Sequence, residues 1–385
     1  MIGRNDRKNR EGERKTFALD SYRKAIAKNK TVIVVLAAVL LLLVSGVLYL
    51  IVQSTLTPKT NEYVLELTYD ITDNTSYGFF KDKIVGLNSD GMKIYEADGL
   101  VSYSNDTYMS NPVLCVGEKY ILAYDSGGRN LYITDGSAVR FENNFDSMIL
   151  KAKFASNGAL VVISAAENYK AVVTVYDKHF KAIYRWSSAS EYVADADITE
   201  NGKLLAVATY TGNNASIAAS INYFSLTSTD RLAKTGGISG IPYAVDFKDG
   251  DKLHILTGDG LYYLEGVTEA VALYTFDSSY LKYFGTVGSD ITAILVNRNV
   301  VGGDSDLLFF EDKSLLKLVN IDGEVRDISV SEDYVGVLTT KSAKVFENDG
   351  EYIFESPATT QSKKLIISKD GNMIVFDLNK VTLVK

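Results

Sequence analysis

The chain has 385 residues, enough for one large β domain, and carries 25 Tyr, 16 Phe and 29 Gly against 4 Pro and 1 Trp, a bias toward pleated, half-buried surfaces and tight turns. Its net charge of -8 hides a division, because residues 1–30 hold ten Lys or Arg against four acids, which leaves -14 for everything after them. One cysteine and two histidines exclude an intramolecular disulfide, a cysteine-based metal or redox centre and most imidazole constellations, and an acidic body disfavours nucleic acid as a partner.

Residues 1–30 form a basic arm. Phe17, Tyr22 and Ile26 recur there at roughly helical spacing among Arg and Lys, which fits either a short helix lying on an anionic leaflet or a tail that only sets topology. Residues 31–52 contain no charged side chain, and at about 1.5 Å per residue the run is long enough to cross a hydrocarbon core. A cleaved signal peptide would have a shorter apolar region and a small-x-small site; Gln53 to Pro58 offers none. The run is therefore expected to be a transmembrane signal anchor. Its basic flank stays cytoplasmic, so residues 53–385 are expected outside the cell membrane, first as a polar linker (53–61) and then as one domain (62–385). A large exported domain without disulfides fits a bacterium.

From residue 62 a pattern recurs eight times: a turn, a short aliphatic run, a second turn, and a run ending in Tyr, Phe or Leu. The first runs begin at Ile84, Tyr120, Leu160, Leu204, Leu253, Ile291, Tyr334 and Met373. Several are continuously apolar, as strands covered on both faces should be. The preceding turns fall near Asp82, Glu118, Asn157, Asn201, Asp249, Asp290, Glu332 and Asp370, a spacing that brackets the period of four-stranded propeller blades. Asp-Gly and Asn-Gly pairs such as Asp90-Gly91, Asn157-Gly158 and Asp259-Gly260 supply the positive φ of two-residue hairpins. The predicted fold is all-β: a β-propeller of four-stranded antiparallel blades, eight in number with seven as the alternative, preceded by one transmembrane helix. The last unit has only three strands before Lys385, and Tyr63 to Tyr69 is expected to supply its fourth and close the ring.

No nucleophile elbow, phosphate loop or zinc-binding helix motif occurs, so no catalytic, cofactor-binding or metal-binding residue is assigned and no cofactor is implied. Cys115, within Val113 to Val116, is read as a buried, inert thiol. His254 is read as a satisfied strand histidine and His179 as a solvated turn residue. Asp304 and Asp306, in a Gly-rich hairpin, could offer oxygens to a cation but lack the twelve-residue calcium loop. Asp195-Ala196-Asp197 is a weaker acidic candidate, fitting a strand with its charges on one side.

The stretch Ala171 to Tyr184, with Tyr176-Asp177 where a Trp-Asp pair would stand, resembles the third and fourth strands of a WD40 or quinoprotein-type blade. The layout of basic arm, signal anchor and acidic, Tyr-rich repeat is similar to an uncharacterised family of membrane-anchored β-propeller proteins from Gram-positive bacteria. That resemblance implies a location and a fold but no activity. The expected function is a membrane-anchored, extracytoplasmic binding or scaffold module for an envelope protein or cell-wall polymer. The alternative is a glycan-active hydrolase or lyase using carboxylates at the propeller funnel.

Overall fold

The structure, a computed structural model, describes residues 39–48, 62–65, 75–96, 98–213, 216–228, 231–276, 280–287, 290–299, 303–377 and 381–384. The chain divides into two compact units, Met1–Lys59 and Thr60–Lys385. In the first, residues 39–48 form a helix whose Val and Leu side chains are all exposed. Ser45 donates its hydroxyl back to the Leu42 carbonyl at 2.9 Å. Among the described residues no helix is long and apolar enough to cross a membrane. The rest of the predicted anchor (31–38 and 49–52), the whole basic arm and the linker lie outside the described residues.

The second unit is a propeller of eight four-stranded antiparallel sheets, so eight blades stand and the seven-blade alternative falls. Blade 1 runs from Ser76 to Asn105, blade 2 from Pro112 to Asn144, blade 3 from Ile149 to Ser188 and blade 4 from Tyr192 to Ser239. Blade 5 runs from Pro242 to Thr275, blade 6 from Leu281 to Ile321 and blade 7 from Val325 to Pro357. Blade 8 combines Lys364–Ile367, Met373–Phe376 and Val381–Val384 with the first strand of the chain, Glu62–Leu65. That strand pairs antiparallel with the last, Tyr63 opposite Leu383, as the missing fourth strand required.

Each aliphatic run of the repeat is the second strand of a blade and its partner is the third. Covered on both faces, these strands are almost wholly buried, as in Ile121–Asp125 and Ile291–Asn297. The first strand of each blade is innermost: Tyr192–Ile198 packs on Pro242–Phe247, Val325–Val330 on Lys364–Ile367, and Lys364–Ile367 on Ser76–Phe80. Eight apolar clusters fill the eight gaps between successive blades. Between blades 3 and 4, for example, Val161, Val173 and Tyr184 meet Ala196, Leu205 and Phe224. The cluster joining blade 8 to blade 1 holds Ile84 with Ile374, Phe376 and Leu383, and Tyr77 stacks on Phe376 at 4.4 Å. An interface between the first and last blades exists only in a closed ring.

The hairpin expectation needs correction. The two-residue loop of blade 1 is Ser89-Asp90, one position earlier than expected, and Gly91, at φ +136, is already a strand residue opposite Asn88. Gly158 takes φ +78 in a longer turn, where its N–H donates to the Ala155 carbonyl at 2.8 Å. Gly260 needs no positive φ: a Cβ there would lie 2.4 Å from the Tyr274 carbonyl oxygen, so close approach of the neighbouring strand demands glycine.

Candidate functional site: the central channel

The innermost strands line a channel whose two halves differ. On blades 3 to 5 it is crossed by charge. Lys153 on blade 3 lies 3.3 Å from Asp195 and 3.9 Å from Asp197 of blade 4, and 3.3 Å from Asp246 of blade 5. It also donates to the Val245 carbonyl at 2.8 Å. Lys151 pairs with Asp195 at 3.0 Å and donates to the Tyr243 carbonyl at 3.1 Å. The carboxylates in turn accept backbone N–H groups from the next innermost strand, Asp195 from Val245 at 2.9 Å and Asp197 from Phe247 at 2.8 Å. Burial works against the Lys153 charge, but the three carboxylates outweigh it and hold the ammonium above its ordinary pKa. Burial pushes the Asp197 carboxyl up, Lys153 pulling the other way. Lys248, on the same side, is buried, its pKa lowered by desolvation, and it donates to the Ile291 carbonyl at 3.3 Å.

Among the described residues the same device recurs across the ring. Asp327 on blade 7 accepts the Leu365 N–H of blade 8 at 2.7 Å, and Ser329 accepts that of Ile367 at 3.1 Å. Blade 8 then reaches blade 1 through Lys364, which donates to the Thr75 carbonyl. Alternate polar side chains on one innermost strand thus satisfy backbone donors that an isolated first strand would leave unpaired.

Two cavities open from the channel. One of 570 Å³, between blades 7, 8, 1 and 2, has mixed walls, Leu114, Val116, Ile328, Val330 and Ile366 alternating with Ser76, Ser329 and Ser331, with Lys81, Asp82, Glu118, Glu332 and Lys369 at its rim. Gly78 makes room there, since a Cβ would meet Val116 at 2.9 Å. The other, of 480 Å³, is bounded by Lys151, Asp195, Tyr243, Leu281 and Lys282. Tyr283 lines both.

Apart from Asp195 and Asp197, the residues singled out in the sequence lie outside this cluster. His254 is fully buried. Its Nε2 donates to the Asp312 carbonyl at 2.8 Å, and since a carbonyl can only accept, Nδ1 accepts from the Thr292 hydroxyl at 2.8 Å. Burial, with Lys248 nearby, drops its pKa to about 4. His179 is exposed in the turn between the third and fourth strands of blade 3, its N–H held by Asp177 at 2.9 Å. Cys115 is half-buried rather than buried. Its thiol points at the Ala152 carbonyl, 3.7 Å away, and desolvation raises its pKa to about 11, far from a reactive thiolate. Asp306 is held by the Arg298 guanidinium at 2.7 Å, and Asp304 accepts the Gly323 N–H at 2.8 Å. Among the described residues no group of His, Cys, Asp or Glu could hold a metal ion. Asp195 and Asp197, ranked low in the sequence, are the ones brought together with Asp246. The signal was present in the matched alternation Lys151-x-Lys153 and Asp195-x-Asp197 on the innermost strands of adjacent blades.

Residues 57–276, more than half of the chain, match the model of a family of unknown function, DUF5711. The chain belongs to that family. No curated protein sequence matches it. Among solved structures the DUF5711 chain is similar to the C-terminal WD40 domain of Sif2, at 13% identity and a TM-score of 0.58, covering 83% of this chain and 98% of that one. It is also similar to a eukaryotic initiation factor, at 10% identity and a TM-score of 0.51, covering 85% and 98%. BamB from Moraxella catarrhalis gives 11% identity, a TM-score of 0.48 and coverage of 84% and 100%. The first two likenesses agree with the propeller read from the sheets.

Proposed function

We propose that this chain is a membrane-tethered binding module that presents its propeller outside the cell and engages an envelope partner at the channel. The observation that carries the binding half is the state of the channel carboxylates. Asp195, Asp197 and Asp246 do converge, as a carboxylate enzyme would need, but each is tied to a lysine and two of them also accept backbone N–H groups of the next blade. A general acid or nucleophile must be free to exchange protons or attack; these groups hold blades together. The cavities beside them remain open, with walls that mix apolar, lysine and carboxylate side chains and suit binding.

The tether rests on the uncharged run 31–52 and on its described portion, a helix apolar around its whole circumference, a pattern that belongs in lipid or a deep core. The ten basic residues before it set the N-terminus inside. Protease added to wall-stripped cells is expected to digest the chain beyond residue 58 while an N-terminal epitope survives. Protection of the propeller would overturn the orientation, and full release of the protein by carbonate washing would overturn the anchor.

A further inference from the structure

We propose that the closing strand Glu62–Leu65 is a tension latch: a pull on the chain that precedes it detaches this strand first and opens the ring, a proposal that rests on reading residues 31–52 as a membrane anchor. The strand stands in series with that anchor. Residues 53–61 alone separate the apolar run from Glu62. A pull between the membrane and a partner held by the propeller therefore passes through Glu62–Leu65 before it reaches any other strand.

Pairing alone holds that strand in its blade. The fourth strands of blades 1 to 7, from Val101–Asn105 to Tyr352–Pro357, are five to nine residues long, and each follows its third strand through a turn of the same sheet. Glu62–Leu65 has four residues and pairs on one side only, with Val381–Val384. No turn joins these two strands, since blades 1 to 7 lie between them in the sequence. Blade 8 is also the smallest blade, each of its four strands being four residues long. A short, one-sided pairing at the outer edge of a sheet belongs to the low-stability end of a fold, where local opening begins.

The register and the next strand fix the order of yielding. Glu62, the paired residue nearest the tether, ends the pairing opposite Val384, so the pull enters at an end of the pairing and that pair takes it first. Beyond Leu65 the next described strand is Ser76–Phe80, the innermost of blade 1. It pairs with Lys83–Asn88 and packs against both neighbouring innermost strands, Pro112–Val116 and Lys364–Ile367, so it is held on three sides and gives way later. Release of Glu62–Leu65 exposes the edge of Val381–Val384, whose Val381, Leu383 and Val384 are buried in the closed ring, and breaks the closure between last and first blades. Because the strand stays attached to the chain, it docks again when the pull is relaxed.

The test is an optical-tweezers pull on the full chain in detergent, between handle peptides inserted after Thr57 in the linker and after His179 in an exposed turn of blade 3. The first event should be a small, reversible step that precedes the loss of any blade, limited in length because residues 62–74 span at most about 45 Å when extended. A disulfide formed by Tyr63→Cys with Leu383→Cys, at positions opposite each other in the pairing, should abolish that step and raise the force of first yielding, and dithiothreitol should restore the original trace. Loss of a blade as the first event, or a small step that survives the disulfide, would overturn the proposal. Full release of the protein by carbonate washing would overturn it too, by removing the anchor that supplies the pull. The washing result does not depend on the tweezers trace, so failure of the latch and failure of the anchor are told apart.

Discussion

The two halves of the channel solve one problem in different ways. Across blades 3 to 5, innermost strands are joined by half-buried lysines and by aspartates, two of them buried, that span three blades. From blade 7 through blades 8 and 1 to blade 2 the inner walls mix Leu, Val and Ile with Ser and leave a 570 Å³ cavity, with single polar links at Asp327, Ser329 and Lys364 in place of a cluster of ion pairs. A buried ion cluster is weak evidence of stability in itself, since its desolvation cost offsets its attraction, but breaking one member leaves uncompensated charge. The charged half should therefore be rigid and intolerant of single changes. The half without that cluster should depend on strand closure.

Closure is the point of largest expected effect. Deleting 62–65 uncovers the Val381–Val384 strand, whose Val381 and Val384 are fully buried and whose Leu383 is 8% exposed. Each side chain losing its cover is worth about 1.5–3 kcal/mol, against a stability of about 5–15 kcal/mol for a whole domain. Denaturant melts should show collapse or a broad non-cooperative transition, while deleting 53–58 should leave the midpoint alone. An unchanged midpoint after loss of 62–65 would mean that the ring closes without that strand.

Lys153→Met comes next, taking the shared cation from buried Asp197, from buried Asp195, which keeps Lys151, and from half-buried Asp246, at about 3–5 kcal/mol. A fall in the urea midpoint at neutral pH, partly relieved at mildly acid pH where Asp197 takes up its proton, is the expected result. No acid relief would show that the carboxylates are solvated after the change.

The fully buried His254 sharpens the comparison through pH. Its folded pKa of about 4 lies below the ordinary 6.5, so between those values the unfolded chain binds a proton that the folded chain refuses. Stability from this group is whole above about pH 6.5 and falls as pH drops toward 4, by up to about 3 kcal/mol. His254→Gln should remove that slope, and an identical slope in the variant would assign the acid sensitivity elsewhere.

Asp327→Ala should be smallest, about 1–3 kcal/mol, because it orphans the Leu365 N–H and removes one attraction from half-buried Lys364, which keeps its bond to the Thr75 carbonyl. A loss as large as that of Lys153→Met would erase the distinction between the two halves.

Much of this architecture was legible in residues. The aliphatic runs at Ile84, Leu160 and Met373 marked the central strands because burial on both faces leaves a continuous apolar signature, and Tyr63 stood out as a strand without a blade. The turn chemistry was less legible: Gly158 and Gly260 carry the same dipeptide signal, yet one needs a positive φ and the other a close neighbour. The channel was least legible. Asp195-x-Asp197 looks like an ordinary strand with a charged face until a ring brings Lys153 from blade 3 and Asp246 from blade 5 to it, and those contacts join residues 42 and 93 positions apart from Lys153. Local patterns report periodicity; they do not report which innermost strands share a channel.

The central claim, that the channel charges hold blades together while a partner engages the cavities beside them, is tested most directly by a double-mutant cycle of Lys153→Met and Asp246→Leu, read in parallel by urea stability and by the yield of partner captured in intact cells from a photocrosslinker at Tyr243. The account predicts a coupling energy of about 1 kcal/mol or more in stability and none in binding by the variants that remain folded. Coupling that appears in binding and is absent from stability would make this pair part of the functional site and contradict the account.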